Sequence, residues 1–191
     1  MLTSLNFEQG DWVVDCGANV GEVSAWLCRR HKGVNVIAVE PEAAEADCAD
    51  LNVFGGRNET IRKALWNQET TLTFFQKGET ADGSVFEIAD YTGKVSIPAT
   101  TLDNVLRERG ISRVRLLKLE AEGAEPEILI GCEHYLDKID FIAVDCGPER
   151  GLQQKETATD IINFLLPRGF ELVEMKFDRV VCLFRNRRAR T

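Results

Sequence analysis

The chain has 191 residues, 44% hydrophobic and 28% charged, a composition that fits one globular domain with room for a full core. Its 23 Lys and Arg against 31 Asp and Glu leave a net charge of -8, which disfavours sequence-independent nucleic-acid binding and adhesion to anionic membranes. No apolar run approaches the ~20 residues that span a bilayer, and residues 1–10 do not read as a signal peptide. A single cytoplasmic domain over 1–191 is therefore expected.

Short β-branched runs alternate with amphipathic stretches, the pattern of an α/β fold around a parallel sheet. A first strand is expected over 11–16, then a Gly-containing turn and a helix over about 21–30 with Val23, Trp26 and Leu27 on one face. A second strand follows over 34–40, and Pro41 is placed to open an Ala- and Glu-rich helix reaching about residue 52. A third strand is expected near 60–65.

From 71 to 100 the pattern changes to an antiparallel excursion, with strands over 72–75 and 94–98. The stretch between them, with Gly78, Asp82, Gly83, Ser84 and Tyr91, reads as a long loop of the kind that often carries function. Trp66, Phe74, Phe75, Phe86 and Tyr91 there either wall a pocket or pack as core.

A short helix to Arg109 leads to a strand over 114–120 and a helix over about 123–131. A strand over 138–146 and a helix over 157–166 follow. Two final strands, 170–177 and 179–184, join through Asp178; so short a joint makes them antiparallel. Beyond Phe184, Arg185, Arg187, Arg188 and Arg190 read as a solvated tail. The six Cys show no C-x-x-C pair and read as free thiols in a reducing compartment.

The first turn, Asp15-Cys16-Gly17-Ala18-Asn19-Val20-Gly21, lies where open α/β sheets bind ligands. Its glycines let a ligand approach the backbone closely. It lacks the G-x-G-x-x-G of a pyrophosphate site, and an acid at the end of the strand suits a cationic ligand. Glu40, 19 residues after Gly21, ends the second strand where a carboxylate commonly accepts ribose hydroxyls. Acid, glycine turn and acid together point to S-adenosylmethionine, which carries a ribose, an ammonium and a sulfonium but no phosphate.

The strand over 114–120 should lie mid-sheet and be wholly apolar, yet it carries Lys118 and ends in Glu120, with Glu122 just beyond. A buried lysine is costly without a carboxylate partner, so an ion pair with one of these glutamates is expected at the ligand edge. Glu125 and Glu127 read as solvated acids of a helix first turn. Asp145 and Cys146 end the next strand at the same edge. These acids permit a divalent metal, but no spacing demands one.

These blocks, together with Ile37-Ala38-Val39-Glu40-Pro41, Thr101-Leu102-Asp103 and Leu117-Lys118-Leu119-Glu120-Ala121-Glu122-Gly123-Ala124-Glu125, strongly resemble the FkbM-type S-adenosylmethionine-dependent methyltransferases. The resemblance implies a Rossmann-like class I sheet of seven strands, mostly parallel, with the last strand inserted antiparallel. It implies O-methylation of a hydroxyl on a sugar or natural-product acceptor, with Asp15, Gly17, Asn19 and Gly21 around the methionine part of the cofactor. Glu40 would hold the ribose, Ala64 and Leu65 would lie beside the adenine, and Lys118, Glu120 and Glu122 would form the catalytic set.

Glu120 stands where the family usually has Asp, and the family's mid-chain serine pair is reduced to Ser84. The chain begins almost at the first strand, so an N-terminal covering segment is expected to be nearly absent. Three rival readings differ in chemistry: a cofactor-binding protein without activity, a nicotinamide oxidoreductase, and a structural domain, in which position 118 should be apolar.

Overall fold

The computed structural model describes residues 2–53, 58–78, 83–177 and 179–189. Asp82 of the mid-chain loop, Asp178 of the last turn and Arg190 of the tail lie outside the described residues. In chain order the elements are β1 (Trp12–Cys16), α1 (Glu22–Arg30), β2 (Asn35–Val39), α2 (Ala43–Asn52), β3 (Glu59–Ile61), β4 (Ala64–Leu65), β5 (Thr70–Gln76), β6 (Gly93–Thr100), α3 (Leu102–Glu108), β7 (Val114–Leu119), α4 (Glu125–Ile130), β8 (Ile139–Asp145), α5 (Ala158–Leu165), β9 (Phe170–Lys176) and β10 (Val181–Asn186).

Seven strands form one sheet in the order β3-β2-β1-β7-β8-β10-β9. The first five are parallel, and β10 runs antiparallel between β8 and β9, the expected class I arrangement. Strand alternation divides the core between the two faces. Val13, Val36 and Leu116 pack with Leu27 of α1 on one face. Val14, Ile37, Leu117 and Ile142 pack with Leu106 of α3, Ile128 of α4 and Ile161 of α5 on the other. The parallel strands thus bury both faces and hold their carboxyl ends along one edge.

The mid-chain excursion is a separate sheet in the order β4-β6-β5, with β5 and β6 antiparallel as expected. The anticipated third strand is split. Its first half, β3, pairs with β2, whereas β4 leaves that sheet and pairs with β6. The break falls at exposed Arg62 and Lys63, where Arg62 is drawn to Asp47 and Asp50 of α2.

Two further boundaries move, and the mid-chain loop gains a bridge. Pro41 precedes α2 instead of opening it, because the Glu40 carboxylate accepts the Glu42 N–H and turns the chain before the helix starts. The mid-chain loop is pinned, with Phe75 and Ser84 exchanging backbone hydrogen bonds of 2.8 and 3.0 Å. The tail begins later than expected: Arg185 lies in β10 and pairs with Glu171, and buried Asn186 donates to the Ile139 carbonyl at 3.1 Å.

Candidate active site

The carboxyl ends of β1, β2 and β7 open into a cavity of about 890 Å³. That is at the upper end of the ~300–1,000 Å³ common for small-molecule sites. The mid-chain loop (Val85, Ile88) covers one side and the segment after β8 (Glu149, Leu152) the other. Gly17, Asn19, Glu40, Ala64, Leu65, Lys118, Glu120 and Glu122 all line this space, so the structure gathers eight of the expected residues. Asp15 and Gly21 stand behind the wall.

The first turn is built by left-handed backbone. Gly17 has φ +68°, and a Cβ there would sit 1.6 Å from the Glu120 carbonyl oxygen, so only glycine lets the two loops approach. Gly21 has φ +81°, and its Cβ would crowd the Ala49 Cα at 3.1 Å, so this glycine serves the packing of α1 against α2. Asn19 is also left-handed, at φ 50°, a conformation asparagine tolerates better than most residues. Its N–H donates to Glu40 Oε2 at 2.9 Å, and the Glu42 N–H donates to Oε1 at 3.0 Å. Both Glu40 oxygens are therefore oriented while keeping further lone pairs for a ligand. Burial pushes this carboxyl up, against the two N–H donors.

Asp15 and Lys118 are directly opposed in the register of β1 and β7. Asp15 is fully buried and meets Lys118 Nζ at 3.1 Å, while Ser24 of α1 donates to its other oxygen at 2.7 Å. Lys118 also bridges to Glu120 Oε2 at 3.1 Å and donates to the Gly17 carbonyl at 2.7 Å. The lysine thus ties both loops together through Asp15 as well as through a glutamate. Burial alone would lower its ammonium, but Asp15 and Glu120 hold it above the ordinary value. For Glu120 burial acts upward, and Lys118 with Arg179 outweighs it, leaving the carboxyl below its usual value.

Glu122 lines the cavity with left-handed backbone at φ 51°, and its carbonyl accepts the Ser84 hydroxyl at 3.0 Å. Ser84 therefore staples the mid-chain loop to this turn. Glu125 is not the solvated acid expected: it is 1% exposed and accepts the Ala121 N–H at 2.8 Å and the Gly123 N–H at 3.3 Å. Burial raises its carboxyl despite those donors. Glu127 pairs with Arg150, whose guanidinium lies 4.0 Å above the Phe86 ring. Of the five aromatics singled out, Phe74 lines the cavity. Trp66 packs tilted against Phe86, and Phe75 meets Tyr91 edge-on.

The Thr101-Leu102-Asp103 block is architectural. Thr101 caps α3 by accepting the Asn104 N–H at 3.0 Å, and buried Asp103 accepts the His134 and Tyr135 N–H groups at 3.1 and 3.2 Å.

Glu149 and Arg179 are among the cavity residues that the sequence reading passes over. Glu149 follows β8 across a Gly147-Pro148 turn, four residues beyond the strand's last residue, Asp145, so the strand-end rule that singles out Glu120 does not reach it. Arg179 projects from the β9–β10 turn and meets Glu120 at 3.2 Å and buried Asp145 at 2.9 Å; nothing local in the sequence marks it. Asp145 also accepts the Gly147 N–H at 3.0 Å, and neither it nor Cys146 lines the cavity. Among the described residues no group of three or more His, Cys, Asp or Glu is placed to hold a metal ion. No helix among them is long and apolar enough to cross a membrane.

The profile of the Methyltransferase FkbM domain matches residues 15–172. Methyltransferase 1 of Beauveria bassiana is 24% identical over 170 residues, spanning 76% of this chain and 68% of its own. The 31-O-demethyl-FK506 methyltransferase FkbM of Streptomyces tacrolimicus is 26% identical over 156 residues, covering 65% of this chain and 60% of that protein. Among solved structures, M. capricolum TrmK with S-adenosyl-homocysteine superposes with a TM-score of 0.53 at 10% identity, over 96% of this chain and 65% of that one. That last likeness is one of fold. The profile spans both the glycine turn and the Lys118 loop, and on it the chain belongs to the FkbM family of S-adenosylmethionine-dependent methyltransferases.

Proposed function

We propose that this chain is a working O-methyltransferase, a single domain over 1–191, acting in the cytoplasm on a hydroxyl of a sugar or other small-molecule acceptor. The observation that carries the reading is one cavity in which two loops meet. The left-handed Gly17 turn lies against the Glu120 backbone and leads through Asn19 to the doubly oriented Glu40 carboxylate. Beside it, Lys118 and Arg179 hold Glu120 from both sides. The space and the acidic lining fit a bulky cationic cofactor.

In this reading Gly17 and Asn19 contact the methionine part, Glu40 accepts the ribose hydroxyls, and Ala64 and Leu65 face the adenine. Asp15 acts through Lys118, and Gly21 shapes the turn. When bound, S-adenosylmethionine supplies an electrophilic sulfonium methyl. The chain's own work is to align an acceptor oxygen in line with it, a task for Glu120 and Glu122, and to dispose of the hydroxyl proton. A small acceptor is favoured over RNA by the charge of -8. A relative named for 31-O-demethyl-FK506 points the same way.

The test is calorimetric titration with S-adenosylmethionine, S-adenosylhomocysteine and NAD, followed by mass spectrometry on a panel of hydroxylated small molecules and an RNA transcript. Binding of both adenosyl ligands and a mass gain of one methylene on a small molecule is expected. Binding of NAD alone, methylation of the RNA alone, or binding with no transfer to any acceptor would each overturn the proposal.

A further inference from the structure

Glu120 stands where a base would be sought, yet it is poorly placed to take a proton. Lys118 and Arg179 engage its two oxygens at 3.1 and 3.2 Å. These cations hold its carboxyl below the ordinary range in spite of its burial. So weak a base has little driving force for proton transfer near neutrality.

Glu149 presents the opposite environment in the same cavity. It is half-buried on the wall formed by the segment after β8. Gly147 sits between it and Asp145, since a Cβ there would lie 3.2 Å from Asp145 Oδ1 and 3.4 Å from Glu149 Oε1. The charged groups that bear on it are Asp145 of β8, Glu125 of α4, Glu120 beyond β7 and Arg179 from the β9–β10 turn. Arg179, the cation among them, is already bonded to Asp145 and Glu120. Burial first, then Asp145 and Glu125, raise the Glu149 carboxyl to about 7, and Arg179 only partly opposes them. A proton acceptor for an alcohol works best with its pKa near the operating pH.

We propose that Glu149 is the group that takes the proton of the acceptor hydroxyl, and that Glu120, fixed between Lys118 and Arg179, is a positioning residue. The inference rests on the methyl-transfer reading above. In that step the acceptor oxygen–carbon bond forms as the carbon–sulfur bond breaks. The electron pair of the broken bond stays on sulfur, and the hydroxyl proton ends on a Glu149 oxygen. Atoms and charge balance with no further reactant.

A carboxyl on the wall of the cavity should give up its proton when a cation binds in that cavity, which can be measured without knowing the acceptor. Calorimetry of S-adenosylmethionine binding in two buffers of different ionisation enthalpy gives the protons released. With Glu149 titrating at about 7, release should be about half a proton at pH 7 and vanish at pH 9. S-adenosylhomocysteine, which lacks the sulfonium charge, should release less. Glu149→Gln should bind both ligands and release none, and with any acceptor found in the panel its turnover should fall by ~10²-fold or more. The wild-type pH series decides the matter even where the variant fails to fold. Binding without release at pH 7, or release that persists at pH 9 or in Glu149→Gln, would overturn the role of Glu149. Failure of the wild type to bind either adenosyl ligand would instead overturn the methyl-transfer reading on which it rests.

Discussion

Replacing Lys118 by methionine tests the architecture beneath the site, because the two side chains have similar length and differ mainly in charge. The ammonium bridges Asp15 and Glu120 at 3.1 Å each and donates to the Gly17 carbonyl at 2.7 Å. Glu120 keeps Arg179 and partial solvent contact, so its loss is small. Asp15 is fully buried and would retain only the Ser24 hydroxyl. Removing one partner of a buried pair typically costs ~3–5 kcal/mol, chiefly the penalty of the charge left behind. We therefore expect Lys118→Met to lose about 4 kcal/mol, or about 10 °C in Tm for a chain of this length. Neutralising the orphan as well, in Asp15→Asn/Lys118→Met, should recover more than half of that. Urea unfolding followed by circular dichroism measures all three proteins. A single variant within ~1 kcal/mol of wild type, or a double variant no more stable than the single, would refute the reasoning.

Two further outcomes follow from the same geometry. Glu40→Gln keeps the shape but replaces a carboxylate acceptor with an amide, and should weaken S-adenosylhomocysteine binding by ~10–100-fold, the worth of charge-assisted hydrogen bonds; unchanged affinity by calorimetry would remove Glu40 from the cofactor site. Stability should fall as pH rises from about 4.5 to about 7, because Glu40, Glu125 and Glu149 all have raised carboxyls and so the native state holds protons that the unfolded chain has released. The half-buried Glu149 should contribute about 1 kcal/mol of that fall once its full linkage value of ~3 is discounted for solvent screening. The lowered Glu120 acts outside this window, since its stabilisation is lost only as pH drops below 4.5. A urea midpoint that climbs between pH 5 and 7 would contradict this account.

Much of the sheet was legible because buried parallel strands announce themselves as apolar runs, and Lys118 was conspicuous as the exception. The register that sets Lys118 against Asp15 was not legible, since it depends on pairing between strands about a hundred residues apart. For the same reason the third strand was read as continuous. Ala64 and Leu65 extend the local apolar pattern, but their partners, Ala99 and Thr100, lie in a distant strand. The burial of Glu125 is hidden in the sequence because an acid in a first helical turn has a sufficient local explanation. Its burial follows from the tertiary placement of the Ala121 and Gly123 N–H groups around it. Arg179 comes from a hairpin turn whose approach to β7 no local signal records.

The excess of carboxylates in the cavity has a rationale in the charge balance of the proposed step. Seven carboxylates, among them Glu40, Glu120, Glu122 and Glu149, line the space against four cations, Lys63, Lys77, Lys118 and Arg179, of which Lys118 and Arg179 are committed to ion pairs. A cationic methyl donor is attracted to such a lining, but the positive charge on sulfur disappears as the acceptor oxygen is methylated. Were the hydroxyl proton lost to solvent at that moment, the site would become more anionic inside a partly desolvated cavity, where opposite charges attract and like charges repel most strongly. Retaining the proton on Glu149 keeps the local charge constant through the reaction. The neutral sulfur product then meets a neutral Glu149, and the attraction that drew the cofactor in is gone when it must leave. Because this carboxyl titrates at about 7, solvent near neutral pH removes the proton again and restores the anion for the next cationic donor.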